Sequence, residues 1–317
     1  MTILVTGASG FVGRHLVEGL FQRGIPVQAA QRQGIANQVT HQAVGLVSLS
    51  GAGYACDDWA EAVSGCNVVV HLAARAHVQR DESDNPHLAF ERANIDFAVA
   101  CADAAAKAGV RRFIFMSSAG VHGGASGKRP INADDDFLPH TLYAQSKAVA
   151  EHKLAEAVRG TGMELTVLRP PLVYGAGAPG NFGVLVRALS AGWPLPLGSV
   201  TSNRRSFVSI DNLMDLIVTC LDHPAAGNKC FLVSDGEDCS TAGFLRRLGA
   251  AMGQPTRLLP LPVSWLALGA KLLGKQDTFQ SLCGSFQLDT THTRQTLSWS
   301  PPYTMEEGLR RCFASKP

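Results

Sequence analysis

The residue pair with the clearest chemical meaning is Tyr143 and Lys147, which stand four positions apart. On a helix this spacing puts both side chains on one face, a turn apart. A free phenol titrates near ~10 and a lysine near ~10.4, and a fixed ammonium beside a phenol favours the phenolate. The pair could therefore move a proton near neutral pH, although the same spacing also occurs in surface pairs.

A pair of serines, Ser117 and Ser118, follows the apolar run that precedes this helix in the chain. The run reads as a strand of a parallel sheet, and the carboxyl ends of such strands open onto the ligand crevice. Ser118 could then hydrogen-bond the same substrate oxygen that Tyr143 protonates. The three residues Ser118, Tyr143 and Lys147 form the predicted catalytic set.

Three glycines, Gly7, Gly10 and Gly13, come directly after a short apolar run and open a helical pattern. The first allows a tight turn, the second lets the backbone approach a pyrophosphate, and the third lets helix and strand pack closely. The helix start then offers unpaired N–H groups and a positive dipole end to phosphates. The sequence therefore predicts a dinucleotide site at the very start of the chain.

The second strand of this unit ends in Gln31-Arg32, with no acidic residue between positions 27 and 40. A carboxylate there would bind the adenosine ribose 2′-hydroxyl of NAD, whereas an arginine accepts the 2′-phosphate of NADP. Arg32 therefore favours NADP(H), and NAD(H) remains possible if Arg32 is only a solvated loop residue.

The elements that must position these residues alternate between strand and helix patterns. Strands are predicted at 2–6, 26–30, 68–72, 113–117 and 165–169, with helices near 11–24, 94–108 and 143–159 between them. This order predicts an α/β fold with a doubly wound parallel Rossmann-type sheet. After Arg169 the texture becomes rich in Pro and Gly, so we expect a smaller, discontinuous C-terminal domain. The predicted division is 1–170 plus about 207–235 for the first domain, and about 171–206 plus 236–317 for the second.

Composition excludes several classes of protein. The 317 residues carry a net charge of +2 and are 46% apolar, which gives no basis for a nucleic-acid partner and can fill a large core. Eight scattered cysteines, without a signal-peptide pattern or a long apolar run, predict a cytoplasmic protein with no integral membrane segment.

No metal is predicted, because the histidines lack ligand spacing and Asp134–Asp136 reads as a solvated turn. The apolar segment 265–273 reads as domain core or a lid over the site, although it is amphipathic enough to touch a membrane. His140 and His152 are expected to face solvent.

Taken together, these motifs resemble the extended short-chain dehydrogenase/reductase family. The resemblance rests on the glycine turn and Tyr143-x-x-x-Lys147, and on the segments His71–Ala74, Ser117–Gly123, Leu168–Gly175 and Arg205–Val208. Within that family the chain is most similar to bacterial nucleotide-sugar epimerases and 4-keto reductases of the O-antigen type. Two positions depart from the pattern: His122 stands where Tyr is usual, and Leu172 where many epimerases have an asparagine near the UDP.

The resemblance implies roles for individual residues. Tyr143 would be the acid/base, Lys147 would also hold the nicotinamide ribose, and Ser118 would position the sugar O4. Asn94 would support the site, while Asn181 and Arg205 would contact the nucleotide diphosphate. The implied cofactor-binding set is Gly7, Ser9, Gly10, Phe11, Val12, Gly13, Arg32, Leu72, Ala73, Ala74, Tyr143 and Lys147.

The leading functional hypothesis is an NAD(P)(H)-dependent oxidoreductase acting at C4 of a UDP-sugar. It would reduce a UDP-4-keto-6-deoxy-N-acetylhexosamine for surface polysaccharide (O-antigen) synthesis, with a homodimer possible. One alternative is a UDP-sugar 4-epimerase of the UDP-glucose or UDP-N-acetylglucosamine type with tightly bound NAD. A second is a non-catalytic NADP(H)-binding regulator, which the intact Ser118, Tyr143 and Lys147 set disfavours.

Overall fold

A computed structural model describes residues 1–32, 45–49, 59–76 and 83–314. In chain order its strands are β1 Ile3–Thr6, β2 Val27–Arg32, β3 Gly45–Leu49, β4 Val68–His71, β5 Arg112–Met116, β6 Glu164–Arg169, β7 Leu172–Tyr174, β8 Arg205–Ser209, β9 Lys229–Leu232 and β10 Asp238–Cys239. Seven of them form one sheet in the order β3-β2-β1-β4-β5-β6-β9. Every pairing in that sheet is parallel, which confirms the predicted doubly wound α/β fold.

The helices that connect these strands are α1 Phe11–Gln22, α2 Trp59–Ala62, α3 Pro86–Glu91, α4 Phe97–Lys107, α5 Leu142–Ala157, α6 Gly180–Ser190, α7 Ile210–Asp222, α8 Thr241–Ala251, α9 Val263–Leu272, α10 Gln276–Cys283, α11 Thr291–Leu297 and α12 Met305–Phe313. A π-helical turn at Arg92–Asp96 joins α3 to α4, and short 3-10 turns lie at Ala119–His122 and Pro224–Ala226.

Helices cover both faces of the large sheet. On one face α1 and α7 bury Leu16, Leu20 and Ile217 against β1, β4 and β5. On the other, α4 and α5 bury Ala105 and Leu154 against the same strands. Strands covered on both sides must be apolar throughout, which explains the unbroken valine run of β4.

The strand order reverses at β1, because the chain runs outward through β2 and β3 and then returns to β4 on the opposite side. Ligands of doubly wound sheets bind in the crevice that such a reversal opens at the carboxyl ends of the strands. The glycine turn after β1 and the serines after β5 both lie at this edge.

A second, three-stranded sheet in the order β10-β8-β7 lies in the later part of the chain. Its core contains Phe182 of α6, Phe207 of β8 and Phe244 of α8, with Phe207 and Phe244 stacked at 4.1 Å between ring centroids. The chain reaches β9 of the large sheet between β8 and β10, so the two sheets are interleaved along the sequence. The division into two domains with the predicted boundaries stays a prediction.

Several elements differ from the sequence-based expectation. No strand was predicted where β3 lies and no helices where α2 and α3 lie. The helix predicted at 94–108 begins with a π-helical turn, and α4 itself starts at Phe97. Residues 172–190 form a strand and a helix despite their glycines and prolines, because Pro179 and Gly180 stand at the start of α6, where both are tolerated. No helix within the described ranges is long and apolar enough to cross a membrane.

Candidate active site

The turn between β1 and α1 is built around glycines that no larger residue could replace without a shift. Gly7 has φ of +67°, and a Cβ there would lie 2.7 Å from the backbone nitrogen of Ala73. A Cβ on Gly13 would lie 2.1 Å from the carbonyl oxygen of Gly7. Helix α1 therefore starts directly against the turn, as expected from the sequence.

The amino end of α1 is open to a ligand. Its N-cap is Gly10, so no side chain caps the first amide groups, and its first turn carries no acidic residue. These amides and the helix dipole suit an anionic group such as a pyrophosphate. Gly7, Gly10 and Gly13 line one cavity of about 600 Å³ together with Phe11 and Val12. A cradle that a Cβ would fill, facing a roomy cavity, fits a dinucleotide.

Ser118 lies between the end of β5 and the 3-10 turn at Ala119–His122. Its side chain caps that turn, since Ser118 Oγ accepts a hydrogen bond from Gly120 N at 3.1 Å. The hydroxyl is fixed through its oxygen, so its hydrogen can be donated to a substrate oxygen. Ser118 lines the same cavity as the glycine turn.

Tyr143 and Lys147 lie on α5 and both reach this cavity. Lys147 is buried, and its Nζ donates to Met116 O at 2.8 Å and lies 4.4 Å from the centroid of the Phe115 ring. Burial lowers the pKa of Lys147 to about 7, a shift that the negative charge of Glu151 partly offsets. Burial raises the pKa of Tyr143 to about 12.

These directions differ from the expectation that Lys147 would stabilise a Tyr143 phenolate. Lys147 is held against the carbonyl end of β5 instead, and its charge is itself weakened by burial. The same charge, together with burial, lowers the pKa of His71 to about 3, so that His71 is neutral in the core. At neutral pH Tyr143 is therefore a neutral phenol in the protein alone. A group that shifts it to the phenolate must bind next to it in the cavity.

A buried ion pair anchors α5 beneath the site. Arg169, at the end of β6, donates from Nε to Glu151 Oε1 at 3.0 Å, and Ser117 Oγ also donates to Glu151 Oε1. Arg169 Nη1 donates to His122 Nε2 at 2.9 Å, which leaves the His122 proton on Nδ1, facing Asp136 O at 3.3 Å. His122, where the family usually has Tyr, thus serves as an acceptor for Arg169. The network ties α5, β5 and β6 together next to Ser118.

Asn94 makes a second connection to α5. It is fully buried in the π-helical turn, its Nδ2 donates to Ser146 Oγ at 2.8 Å, and its Oδ1 accepts from Arg75 N at 2.6 Å. Ser146 Oγ in turn donates to Tyr143 O at 2.8 Å. Asn94 therefore fixes the backbone of the helix turn that carries Tyr143 to the loop after β4.

The far end of the cavity is formed by the later part of the chain. Arg205 of β8 donates from Nη1 to Gly284 O at 2.9 Å and lies 5.8 Å from the centroid of the Phe286 ring. Burial lowers its pKa to about 10, so it is still a cation at neutral pH. Asn181, in the first turn of α6, and Leu172 of β7 line the same cavity. A fixed arginine beside a helix start suits a diphosphate.

The structure thus brings twelve of the predicted site residues to one cavity: Gly7, Gly10, Phe11, Val12, Gly13, Leu72, Ala74, Ser118, Tyr143, Lys147, Asn181 and Arg205. Ser9 and Ala73 do not line it. Ala73 instead donates its backbone N–H to Thr6 Oγ1 at 3.3 Å, behind the glycine turn. Arg32 ends β2, but its side chain lies outside the described residues.

Sequence reasoning missed several residues of the cavity wall, among them His140, Ser281 and Phe286. His140 is exposed, as expected, but the space it faces is the cavity, and a Cβ on Gly124 would lie 2.8 Å from its Cε1. Its position three residues before Tyr143 could have suggested this. No pattern near Ser281 or Phe286 in the sequence points to the site, because both residues lie more than 130 positions after Tyr143.

Among the described residues, no group of three or more His, Cys, Asp or Glu side chains could hold a metal ion. The Asp134–Asp136 segment is a turn in which Asp135 Oδ1 accepts from Arg129 Nη2 at 2.6 Å, and that arginine holds the pKa of Asp135 below its usual value.

Comparison with known proteins agrees with this arrangement. A family model described as the NAD dependent epimerase/dehydratase family matches residues 3–233, which include the glycine turn, Ser118, Tyr143 and Lys147. The chain belongs to this family. It is an enzyme of the extended short-chain dehydrogenase/reductase type, as the sequence motifs predicted.

Individual relatives cover nearly the whole chain. A UDP-glucose 4-epimerase of Vibrio cholerae is 42% identical over 312 residues, which are 98% of this chain and 94% of the relative. An Escherichia coli O157:H7 N-acetyl-alpha-D-glucosaminyl-diphospho-ditrans,octacis-undecaprenol 4-epimerase is 27% identical and covers 98% of this chain and 93% of its own length. The fold of a Thermotoga maritima UDP-glucose 4-epimerase, crystallised with UDP-glucose, matches with a TM-score of 0.78 at 22% identity, over 98% of this chain and 97% of that one.

Proposed function

We propose that this enzyme interconverts an alcohol and a ketone at C4 of a UDP-sugar, and that its complete reaction is 4-epimerisation. The observation that carries the proposal is a single cavity that joins an acid/base pair, a dinucleotide cradle and a fixed arginine. The Vibrio cholerae relative, whose name is a 4-epimerase, supports the same position on the sugar.

The cofactor end of the cavity suits a nicotinamide dinucleotide, with its pyrophosphate at Gly10–Gly13 and its nicotinamide ribose near Lys147. When bound there, it supplies the hydride acceptor and donor for C4. NADP(H) in preference to NAD(H) remains a prediction from Gln31-Arg32.

The residues of this chain handle the proton and the orientation. When C4 is oxidised, Tyr143 has to act as the phenolate, a form that the positive charge of a bound oxidised nicotinamide would favour. The C4 hydrogen then leaves as hydride to the dinucleotide, the O4 proton passes to the Tyr143 oxygen, and the C4–O4 bond becomes a carbonyl. The Ser118 hydroxyl donates to O4 and holds it within reach of Tyr143. Reduction reverses both transfers, and delivery of hydride to the opposite face of C4 gives the epimer.

At the other end of the substrate, Arg205 and the start of α6 hold the diphosphate. This anchoring leaves the sugar free to rotate about its link to the diphosphate, which an epimerase requires in order to present both faces of C4. Asn181 contacts the diphosphate from the first turn of α6. The proposed role in surface-polysaccharide synthesis rests on the substrate class, because that synthesis uses UDP-sugars of this kind.

A second candidate is a reductase of a UDP-4-keto-6-deoxy-N-acetylhexosamine. The observation in its favour is Leu172, an apolar residue that lines the cavity where many epimerases have an asparagine near the UDP. A 4-keto reductase needs the same Ser118, Tyr143 and Lys147, but it consumes one reduced nicotinamide in each turnover.

One set of assays separates the candidates. The purified enzyme is incubated with UDP-glucose, UDP-galactose and UDP-N-acetylglucosamine, and the products are read by proton NMR of the anomeric signals. It is incubated in parallel with NADPH or NADH and a UDP-4-keto-6-deoxy-N-acetylhexosamine, while absorbance of the reduced nicotinamide is followed. Epimer formation without net cofactor consumption supports the epimerase, and stoichiometric oxidation of the nicotinamide supports the reductase. Absence of both activities contradicts the proposal.

A further inference from the structure

Helix α9 is apolar on two opposite sides. Val263 and Leu266 pack against the core of the small sheet, as expected for a helix of a folded domain. The opposite side carries Trp265, Leu268 and Leu272 at i, i+3 and i+7, which is one stripe on a helix. These three side chains are exposed by 69%, 59% and 78%.

Leu273, the residue that follows the helix directly, lies beside this stripe and is also exposed. We call Trp265, Leu268, Leu272 and Leu273 the α9 patch. Single exposed apolar residues are common on protein surfaces, but a cluster of one tryptophan and three leucines on adjoining turns marks an interaction surface. The patch accounts for four of the exposed large apolar side chains in the described part of the chain.

Cations predominate around the α9 patch. Arg257, Lys271 and Lys275 are all exposed, and the one acidic residue between positions 255 and 280 is Asp277, in the first turn of α10. Lys271 lies within α9 beside Leu272, so its ammonium is carried at the edge of the patch. Tryptophan and leucine flanked by lysine is the composition of helices that lie in the plane of a bilayer surface.

The charge pattern also distinguishes between possible occupants. In a two-fold dimer the same surface meets itself, so the three cations of both copies would approach each other with only Asp277 of each copy to offset them. An anionic bilayer offers the opposite charge to the lysines and an apolar layer to the tryptophan and leucines. With ten residues, α9 is too short to span that layer and suits a position along its surface.

We propose that the α9 patch docks this enzyme onto the surface of a bilayer that contains anionic phospholipid. The apolar side chains enter the boundary between headgroups and acyl chains, and Lys271 and Lys275 contact the lipid phosphates. Helix α9 packs against α10, whose Ser281 lines the active-site cavity, so docking brings one wall of that cavity close to the membrane surface.

This inference does not depend on the proposed function. No residue of the α9 patch lines the active-site cavity. Docking and turnover can therefore be altered separately, and a failure of one proposal leaves the other standing.

The test uses the full-length enzyme and vesicles of phosphatidylcholine, with or without one part in four of phosphatidylglycerol. Binding is measured by flotation, in low and in high salt. We expect binding to the anionic vesicles, weaker binding in high salt, and little binding to pure phosphatidylcholine. Two double variants, Trp265→Ser/Leu272→Ser and Lys271→Gln/Lys275→Gln, should each lower the partition coefficient at least about tenfold.

Trp193→Ser is the matched control, because Trp193 is equally exposed, at 64%, but lies after α6 and outside the α9 patch. It should bind vesicles like the wild type. Quenching of tryptophan fluorescence by brominated acyl chains in the wild type and in Trp193→Ser then tests insertion without depending on a destabilising change. All variants should keep their thermal midpoint.

Several results would overturn the proposal. These are no flotation of the wild type, equal binding to both vesicle compositions, or no quenching by the brominated lipid. A dimer in sedimentation that dissociates in Trp265→Ser/Leu272→Ser would identify a second copy of the chain as the occupant instead.

Discussion

Tyr143 and Lys147 of α5 and Ser118 after β5 divide the work of one proton transfer. Tyr143 is assigned the proton transfer itself, since Ser118 Oγ accepts from Gly120 N and offers its hydrogen to orient O4, and Lys147 Nζ is bonded to Met116 O. Burial raises the pKa of Tyr143, so at neutral pH the phenol keeps its proton until a ligand bound in the cavity favours the phenolate. The function of the site therefore depends on the phenol oxygen.

The first prediction concerns Tyr143→Phe. Removing the phenol oxygen should lower kcat by about 10²–10⁴-fold through loss of general acid–base catalysis, with UDP affinity unchanged. Steady-state kinetics and a UDP titration check both halves. Wild-type turnover in the variant would remove Tyr143 from the acid/base role.

The second prediction concerns Arg205→Ala. Loss of a charge-assisted contact to the diphosphate should weaken UDP binding by about 1.5–3 kcal/mol, or about 10- to 150-fold in Kd, and leave cofactor affinity unchanged. Isothermal titration with UDP and with the dinucleotide measures the two effects independently. Equal UDP affinity in variant and wild type would place the diphosphate elsewhere.

The third prediction concerns Arg32 and the choice of cofactor. NADPH should bind more tightly than NADH, and Arg32→Asp should reverse the order, because an aspartate repels the 2′-phosphate and accepts from the 2′-hydroxyl. Four dissociation constants, two cofactors on two proteins, decide the matter. A wild type that prefers NADH and a variant without preference would make Arg32 a surface residue.

At the scale of elements, α1 contains two glycines in unlike surroundings. Gly13 faces the turn, where a Cβ would come within 2.1 Å of the Gly7 carbonyl oxygen, a backbone atom that cannot move away. Gly19, two turns later, would place its Cβ 3.3 Å from the tip of the Arg23 side chain, which can move. The same substitution thus has opposite consequences within one helix.

The fourth prediction follows from this contrast. Gly13→Ala should destabilise the fold by about 1–3 kcal/mol through overpacking, and should weaken dinucleotide binding as the turn is pushed away from α1. Gly19→Ala should stabilise it by about 0.5–1 kcal/mol, because alanine costs less backbone entropy in a helix. Urea unfolding of both variants gives the comparison, and destabilisation of equal size in the two would contradict it.

At the scale of the whole molecule, one buried carboxylate joins segments that are far apart in the chain. Asp235 accepts from Tyr174 Oη at 2.6 Å, from Ser209 N at 2.8 Å and from Asn212 Nδ2 at 2.7 Å. Asn212 Nδ2 also donates to Tyr303 O at 2.8 Å. The small sheet, α7 and the segment before α12 therefore meet at this carboxylate, just beyond β9 of the large sheet.

The fifth prediction is that Asp235→Ala destabilises the fold by about 3–5 kcal/mol, because three donors lose their acceptor in a buried place. Asp215→Ala is the control, since Asp215 lies on α7 and its carboxylate accepts only from Trp299 Nε1 among the hydrogen bonds of the described residues. It should cost about 1 kcal/mol. Urea unfolding measures both, and similar losses for the two would show that Asp235 does not join these segments.

Local patterns in the sequence determined much of this protein. The spacing of Gly7, Gly10 and Gly13 reflects a turn in which Gly13 packs on the Gly7 carbonyl. The Tyr143 and Lys147 pair lies on one helix turn, and the parallel sheet follows the alternation of strands with helices. Such features are set by short-range geometry, so residue types and spacing are enough to predict them. The motifs also indicated the family, which the match over residues 3–233 confirms.

Tertiary structure alone decided the rest, because it depends on which distant surfaces meet. Periodicity does not tell whether a helix with two apolar sides, such as α9, has both of them covered. The ammonium of Lys147 is bonded to Met116 O rather than poised to ionise Tyr143, since the carbonyl end of β5 happens to lie within its reach. His122 became an acceptor for Arg169, and Phe286 came to Arg205 in the cavity wall, through packing between elements that no local spacing records.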